Sequence, residues 1–197
     1  MDEAVPTDAD LIALSLREPE RFAAVFDRHG GEIYRYVAAR LGPDVADDVA
    51  AETFLTAFRK RDRYDLSRDE ASPWLYGIAT RSISEHRRAE RRRLRALGRA
   101  PAQCPPEPFE EATEDRVAAE RMRPQLAGIL AGLSADERDL LLLVAWTDLT
   151  YDGIAQALGV ATGTVASRLH RIRKKINGAL GREWHAAGPT PRSDFHG

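Results

Sequence analysis

A chain of 197 residues with 43% hydrophobic and 30% charged residues is long enough for two small cores and too apolar to be disordered throughout. Its single cysteine, Cys104, excludes an internal disulfide and any metal site built from cysteine pairs, and its longest apolar run, Leu140 to Trp146, is too short to span a bilayer. The net charge of −2 conceals three blocks: eight arginines against two acids from Thr80 to Arg99, six acids against one arginine from Pro105 to Glu120, and five cations without an acid from Ser167 to Ile176. Two basic stretches separated by an acidic one point to two contacts with a polyanion. With no basic segment leading into an apolar stretch at the N-terminus, a cytoplasmic protein without a signal peptide is expected.

In chain order, Pro19 is placed to open a helix. Phe22, Phe26, Ile33, Tyr36 and Val37 then recur at helical spacing, with Gly30-Gly31 as a site for a break or kink, and Gly42-Pro43 ends the element. Val45, Val49, Phe54, Leu55 and Phe58 mark a second helix, and the polar, aperiodic stretch from Asp62 to Ala71 predicts a loop. Ser72-Pro73 predicts the next helix start, with Ser72 as cap and Pro73 in the first turn. Trp74, Leu75, Ile78, Ala79 and Ile83 share one face before the helix runs into Arg87 to Arg95. Gly98 to Ala112, with four prolines, cannot continue a helix and reads as a linker. Periodicity resumes near Glu114. Ser134-Ala135-Asp136-Glu137 has the form of a capping box. Thr150 is placed to cap a short helix ending at Gly159, and Thr162 to cap a last helix reaching about Leu180. The expected fold is therefore all-α: two small helical domains, 8–97 and 114–180, joined by a flexible linker, 98–113, and followed by a tail, 181–197.

Two short helices joined by Gly159-Val160-Ala161 follow the helix-turn-helix plan. In the second, Val165, Leu169, Ile172 and Ile176 form one apolar stripe. Thr162, Thr164, Ser167, Arg168, Arg171, Lys174 and Lys175 are left to the other faces, where hydroxyls near the N-terminus and cations along the helix suit phosphates and base edges of a major groove.

Longer stretches carry a family likeness. Ser134 to Arg138, Leu149-Thr150-Tyr151, Ile154-Ala155, Leu158-Gly159-Val160 and Gly163 to Arg171 resemble region four of bacterial sigma factors. Val45 to Val49, Glu52-Thr53-Phe54, Phe58, and Pro73-Trp74-Leu75 through Arg87-Arg88 resemble region two. Their order, the linker and the lack of further regions resemble the extracytoplasmic-function type of the sigma-70 family. The resemblance implies an alternative sigma factor that binds core RNA polymerase through the largest-subunit clamp and the flap, and promoter DNA at minus-35 and minus-10 elements. An anti-sigma factor enters as a further partner of such a protein. On this chain the clamp-facing acids would be Asp47, Asp48 and Glu52, with Phe54 and Phe58 in the domain core. The minus-10 residues would be Arg63, Tyr64, Arg68, Arg81, Ser82, His86, Arg87 and Arg88, which offer stacking surfaces for unpaired bases and cations for the backbone. Trp74 reads as core. Two departures stand out. Thr80-Arg81-Ser82 replaces a common Ala-Arg-Asn, and Gly153 occupies a place where acids are usual.

Three rival readings differ in what they leave unexplained. A helix-turn-helix regulator that does not join polymerase leaves the region-two pattern without a role. An adaptor that never touches DNA leaves the basic helix without one. An enzyme would need a phosphate loop, a nucleophile elbow or metal-ligand spacing, and the sequence offers none, so no catalytic residue, metal or cofactor is expected. Limited proteolysis of the full chain should cut first between Gly98 and Ala112. First cleavage inside either helical segment would contradict the two-domain reading.

Overall fold

The computed structural model describes residues 5–97 and 128–180. The linker with Cys104, the first residues of the second segment and the tail lie outside the described residues. The chain forms two compact units, Met1–Pro108 and Phe109–Gly197. The described residues of both are helical, with no strand among them.

The first unit contains α1 (Asp8–Ser15), α2 (Ala23–Leu41), α3 (Ala46–Arg59) and α4 (Ser72–Ala96). Helices α2, α3 and α4 pack mutually, and α1 lies against α2. Val25, Ile33, Val37, Ala57, Leu75, Ala79 and Ile83 are almost fully buried between them, together with Ile12 of α1. Thr7 and Asp10 form a reciprocal capping box at the start of α1. Pro19 opens a 3-10 turn that leads into α2. Helix α2 passes through Gly30-Gly31 without interruption, because the apolar residues on both sides of the pair are anchored in the same core. It ends where Gly42 takes φ +86°, a value glycine adopts without steric cost.

The helical spacing overstates burial at two positions. Phe26 is 51% exposed, its ring lying over Gly30 and edge-on to Phe54 at 4.9 Å, and Leu55 is 42% exposed. Ser72 does not cap α4. Its hydroxyl faces His29 Nδ1 at 3.4 Å, and the cap position falls to Ala71, which has no side-chain bond to give.

The Asp8 carboxylate meets the Ala71 N–H instead. Oδ2 accepts it at 2.9 Å and lies 2.6 Å from His29 Nε2, while Oδ1 accepts from Arg28 Nη1 at 3.0 Å. The Asp8 N–H donates to the Asp69 carbonyl at 3.1 Å. At the other end of α1, Arg61 donates to the Ser15 carbonyl at 3.3 Å and lies over the Phe58 ring. A second buried polar chain runs across the bundle. Arg40 donates to the Tyr36 hydroxyl at 2.7 Å, which bonds to the Thr80 hydroxyl at 2.9 Å. Arg87 donates to the Arg40 carbonyl at 2.7 Å near the end of α2, where the last carbonyls lack intrahelical donors.

The second unit contains α5 (Ala135–Trp146), α6 (Tyr151–Leu158) and α7 (Thr162–Leu180), preceded by a helical stretch at 128–131. The capping box at the start of α5 is present, Ser134 Oγ accepting from the Glu137 N–H and the Glu137 carboxylate from the Ser134 N–H. Thr150 caps α6 through the Gly153 N–H at 3.1 Å. Gly159 takes the left-handed conformation, φ +66°, and the Val160 and Gly159 amides return to the carbonyls of Ala155 and Gln156, the bond pair of a Schellman stop. Gly153 is buried in the first turn of α6, at the amide that Thr150 caps. Leu140, Leu143, Ile154, Val165, Leu169 and Ile172 close the core.

Burial acts to raise the pKa of the Asp8 carboxyl. The His29 and Ala71 hydrogen bonds, the His29 charge and Arg28 outweigh it and hold the group at about 2, below its ordinary 3.8. A depressed carboxyl contributes stability that is complete above its unfolded pKa and is lost as pH falls through the folded value. Thermal unfolding of the full chain should therefore show the Asp8 contribution intact at pH 5 and above, and fading between about pH 4 and 2. Asp8→Asn should be less stable than the parent at pH 7, with the gap narrowing across that acid window. A gap independent of pH would remove Asp8 from the acid response.

Candidate nucleic-acid and polymerase interface

Asp48, Glu52, Thr56 and Arg59 recur every three to four residues on α3, and Ile78, Arg81, Ser82, Glu85, His86, Ala89 and Arg92 do the same on α4. The two stripes face each other across an open groove of about 750 Å³. Residues expected to meet different partners are thus brought together. Asp48 and Glu52, read as clamp-facing, line the same groove as Arg81, Ser82 and His86, read as base-facing. Asp47 is exposed and does not line it. The sign of charge is mixed within the groove, with Asp48, Glu52 and Glu85 against Arg59, Lys60, Arg81 and Arg92.

The other expected minus-10 residues divide between surface and interior. Arg63, Arg68 and Arg88 are exposed. Arg87 is half-buried and donates to the Arg40 carbonyl, so its guanidinium holds α4 against α2. Tyr64 is buried at 7% exposure, packed on Trp74 at 5.1 Å, with its hydroxyl donating to the Arg68 carbonyl at 2.6 Å. Burial, then the nearby Asp8 and Asp65 charges, pushes its pKa up to about 12. The expectation that Tyr64 offers a stacking face is corrected: its ring and hydroxyl turn inward and hold the start of the polar loop to the bundle. Trp74, expected in the core, is half-buried against it. The residue that sequence reasoning missed on this loop is Leu66, 47% exposed at its tip, hidden among polar neighbours. The Thr80 departure also has a local reason, because its hydroxyl completes the bond to Tyr36 that an alanine could not make.

In the second unit, Val165, Leu169 and Ile172 turn inward as the stripe requires, with Ile176 half-buried. Ser167, Arg171 and Lys174 are exposed, and Thr164 and Arg168 are half-buried beside the stripe. Thr162 does not cap α7. It is the first helical residue, and its hydroxyl donates to Asp152 of α6 at 3.1 Å, tying the two helices of the motif together. Lys175 lies 2.6 Å from Glu137 of α5. The Lys175 ammonium, followed by the Ser134 N–H, lowers the Glu137 carboxyl to about 2. One carboxylate thus closes the start of α5 and meets α7, which makes Lys175 a link within the unit.

A helical bundle with an arginine-rich last helix, paired in one chain with a helix-turn-helix, agrees with two matched families. Sigma-70 region 2 matches residues 25–93 and sigma-70 region 4 matches residues 123–176. The ECF RNA polymerase sigma factor SigL of Mycobacterium tuberculosis is 35% identical over 149 residues, which cover 75% of this chain and 81% of the relative. The chain belongs to the extracytoplasmic-function sigma factors of the sigma-70 family. SigK of Mycolicibacterium vanbaalenii is 26% identical to this sigma factor over 175 residues, covering 88% of this chain and 89% of the relative. Among solved structures, the fold is similar to that of the sigma factor RpoE in complex with the anti-sigma factor NepR from Bartonella quintana, with TM-score 0.62 and 20% identity over 83% of this chain and 99% of that one. No helix among the described residues is long and apolar enough to cross a membrane.

The geometry of α7 sharpens what its arginines should do. Arg171 is exposed, whereas Arg168 is half-buried. Losing a bidentate base contact costs about 1–3 kcal/mol and relaxes preference at one position. Losing a phosphate contact weakens all sequences alike and reduces the salt slope by about one. In holoenzyme, Arg168→Ala and Arg171→Ala should therefore differ in kind when assayed on a library of upstream elements at several salt concentrations. If neither changes promoter choice, affinity or salt slope in folded protein, α7 is not the reading helix.

Proposed function

We propose that this alternative sigma factor divides promoter recognition between its two units. The unit containing α1 to α4 joins the polymerase clamp and opens the minus-10 element. The unit containing α5 to α7 reads the minus-35 element from the major groove. The observation that carries this reading is the presence in one chain, in this order, of a region 2 match and a region 4 match. A regulator that binds DNA alone has no need of the first.

The groove between α3 and α4 supports a residue-level assignment. Asp48 and Glu52 present carboxylates from α3 to a basic partner helix, while Arg81, Ser82 and His86 present donors from α4 to the displaced strand. Asp47, Arg63, Arg68 and Arg88 extend the two surfaces, and Thr164, Ser167, Arg168, Arg171 and Lys174 form the upstream one. Catalysis has no part in this function, which consists of binding and strand separation in the cytoplasm. RpoE forms a complex with an anti-sigma factor, and a partner of this kind suits the present chain too.

The clamp assignment is tested by reversing Asp48 and Glu52 to Lys. Like charge facing a basic surface costs affinity, so the double variant should lose co-elution with core polymerase. Because both carboxylates share a groove with Arg81 and His86, its grip on single-stranded minus-10 DNA in isolation should be unchanged or stronger. A correctly folded variant that co-elutes as the parent does would remove both residues from the clamp contact.

A further inference from the structure

The loop between α3 and α4 is exposed along its tip, yet its backbone is held at both ends. At the entry, the Tyr64 ring is buried against Trp74 and its hydroxyl donates to the Arg68 carbonyl. Along the tip, the Asp65 carboxylate accepts from the Ser67 N–H and hydroxyl at 3.1 and 2.7 Å. At the exit both bonds come from one residue of α1. The Asp8 N–H donates to the Asp69 carbonyl, and the Asp8 carboxylate accepts the Ala71 N–H. Donor and acceptor of a single residue thus grip the backbone on either side of Glu70. Leu66, Ser67, Arg68, Asp69 and Glu70 are left exposed between these anchors. Asp8 is itself fixed from the opposite side by Arg28 and His29 of α2.

We propose that Asp8 is a positioning residue for promoter recognition: through its paired bonds to Asp69 and Ala71, α1 acts as a strut that sets the shape of the loop presented to the minus-10 element. The inference rests on the reading, given above, that this loop meets the minus-10 strand. Reading bases requires side chains held to within about 0.5 Å, and a free loop of this length cannot supply that. The two bonds have a partner on the opposite side that does not touch the loop. Arg28 meets Oδ1, whereas the loop amide meets Oδ2. Weakening the Arg28 pair therefore costs stability and leaves both loop anchors in place, which separates positioning from bulk stabilisation.

The test uses holoenzyme reconstituted from core polymerase and full-length sigma variants, below the unfolding temperature of each. Open-complex formation is measured on duplex promoters with single substitutions across the minus-10 element. Asp8→Ala should reduce discrimination between the best and the substituted elements by about tenfold, since a small misplacement of reading groups is costly. Core polymerase affinity should stay within about twofold, because Asp8 does not line the groove that carries the clamp assignment. Asp8→Asn, nearly isosteric, should show the same loss to a lesser degree and serves where the alanine variant does not fold. Arg28→Ala should lower thermal stability and keep discrimination. Full discrimination in folded Asp8→Asn, or an equal loss in Arg28→Ala, would overturn the proposal. Arg63→Ala and Arg68→Ala identify which claim has failed. If these also leave discrimination intact, the loop does not read the element and the strut falls with it. If they alter it while the Asp8 variants do not, only the strut falls.

Discussion

Three segments far apart in the chain meet at the Asp8 carboxylate: the start of α1, the middle of α2, and the loop that leads into α4. A carboxylate removed from water is tolerable only when its oxygens are met by donors, and here an arginine, a histidine and a backbone amide meet them. Removing a donor leaves the carboxylate less well satisfied and costs stability, although Oδ1 and Oδ2 have separate partners. The path of the chain around this point follows. Helix α1 cannot slide along α2 without breaking the Arg28 pair, and α4 cannot begin elsewhere without taking the Ala71 amide away. The apolar residues behind it, Ile12, Val25 and Leu75 among them, are non-directional and would accept small shifts that this carboxylate does not allow.

This also marks the division between what could be read in advance and what could not. The starts of α5 and α6 were legible because a capping box and a threonine cap close within three residues, and the stop at Gly159 because a left-handed turn selects glycine locally. Ser72 and Thr162 carried the same kind of signal and misled for the same reason. Each hydroxyl found a partner elsewhere, His29 in one case and Asp152 in the other. The Asp8 site was invisible because its partners lie 20, 21 and 63 residues away, and no local pattern announces them. Tyr64 failed in the opposite direction. An aromatic residue among charges looks like a platform for bases, and only the position of Trp74 and the Arg68 carbonyl shows that it points inward. The stripe of α7 was legible at Val165, Leu169 and Ile172, with Ile176 half-buried, but the ion pair of Lys175 with Glu137 was not, since its partner lies 38 residues away on α5.

The α3–α4 groove places on one surface the residues proposed for two partners. Asp48 and Glu52 stand on α3 and Arg81, Ser82 and His86 on α4, so at least 29 residues separate these two sets along the chain while folding brings them to a common rim. A surface of this kind has a single electrostatic field. A cationic partner drawn to Asp48 and Glu52 leaves Arg81 and Arg92 less compensated, and so more attractive to phosphate. Under the proposed assignment, engagement of polymerase and of DNA at this groove would be mutually favourable through charge alone.

The packed part of α4 ends near Arg87, whose guanidinium holds the Arg40 carbonyl, and from Arg88 onward the helix is exposed apart from the half-buried Leu94. This terminal stretch sets Arg88 against Arg92 and Arg91 against Arg95, pairs of like charge one turn apart, each unfavourable by about 0.2–0.5 kcal/mol. Such a segment behaves as a short polyelectrolyte. Added salt screens the repulsion and favours the helical form in the free protein, while the same salt weakens its attraction to a phosphate backbone. Order in the last turns of α4 and affinity for nucleic acid thus respond to ionic strength in opposite directions. A bound polyanion reconciles them, because it neutralises the arginines and removes the repulsion along a helix that already runs to Ala96.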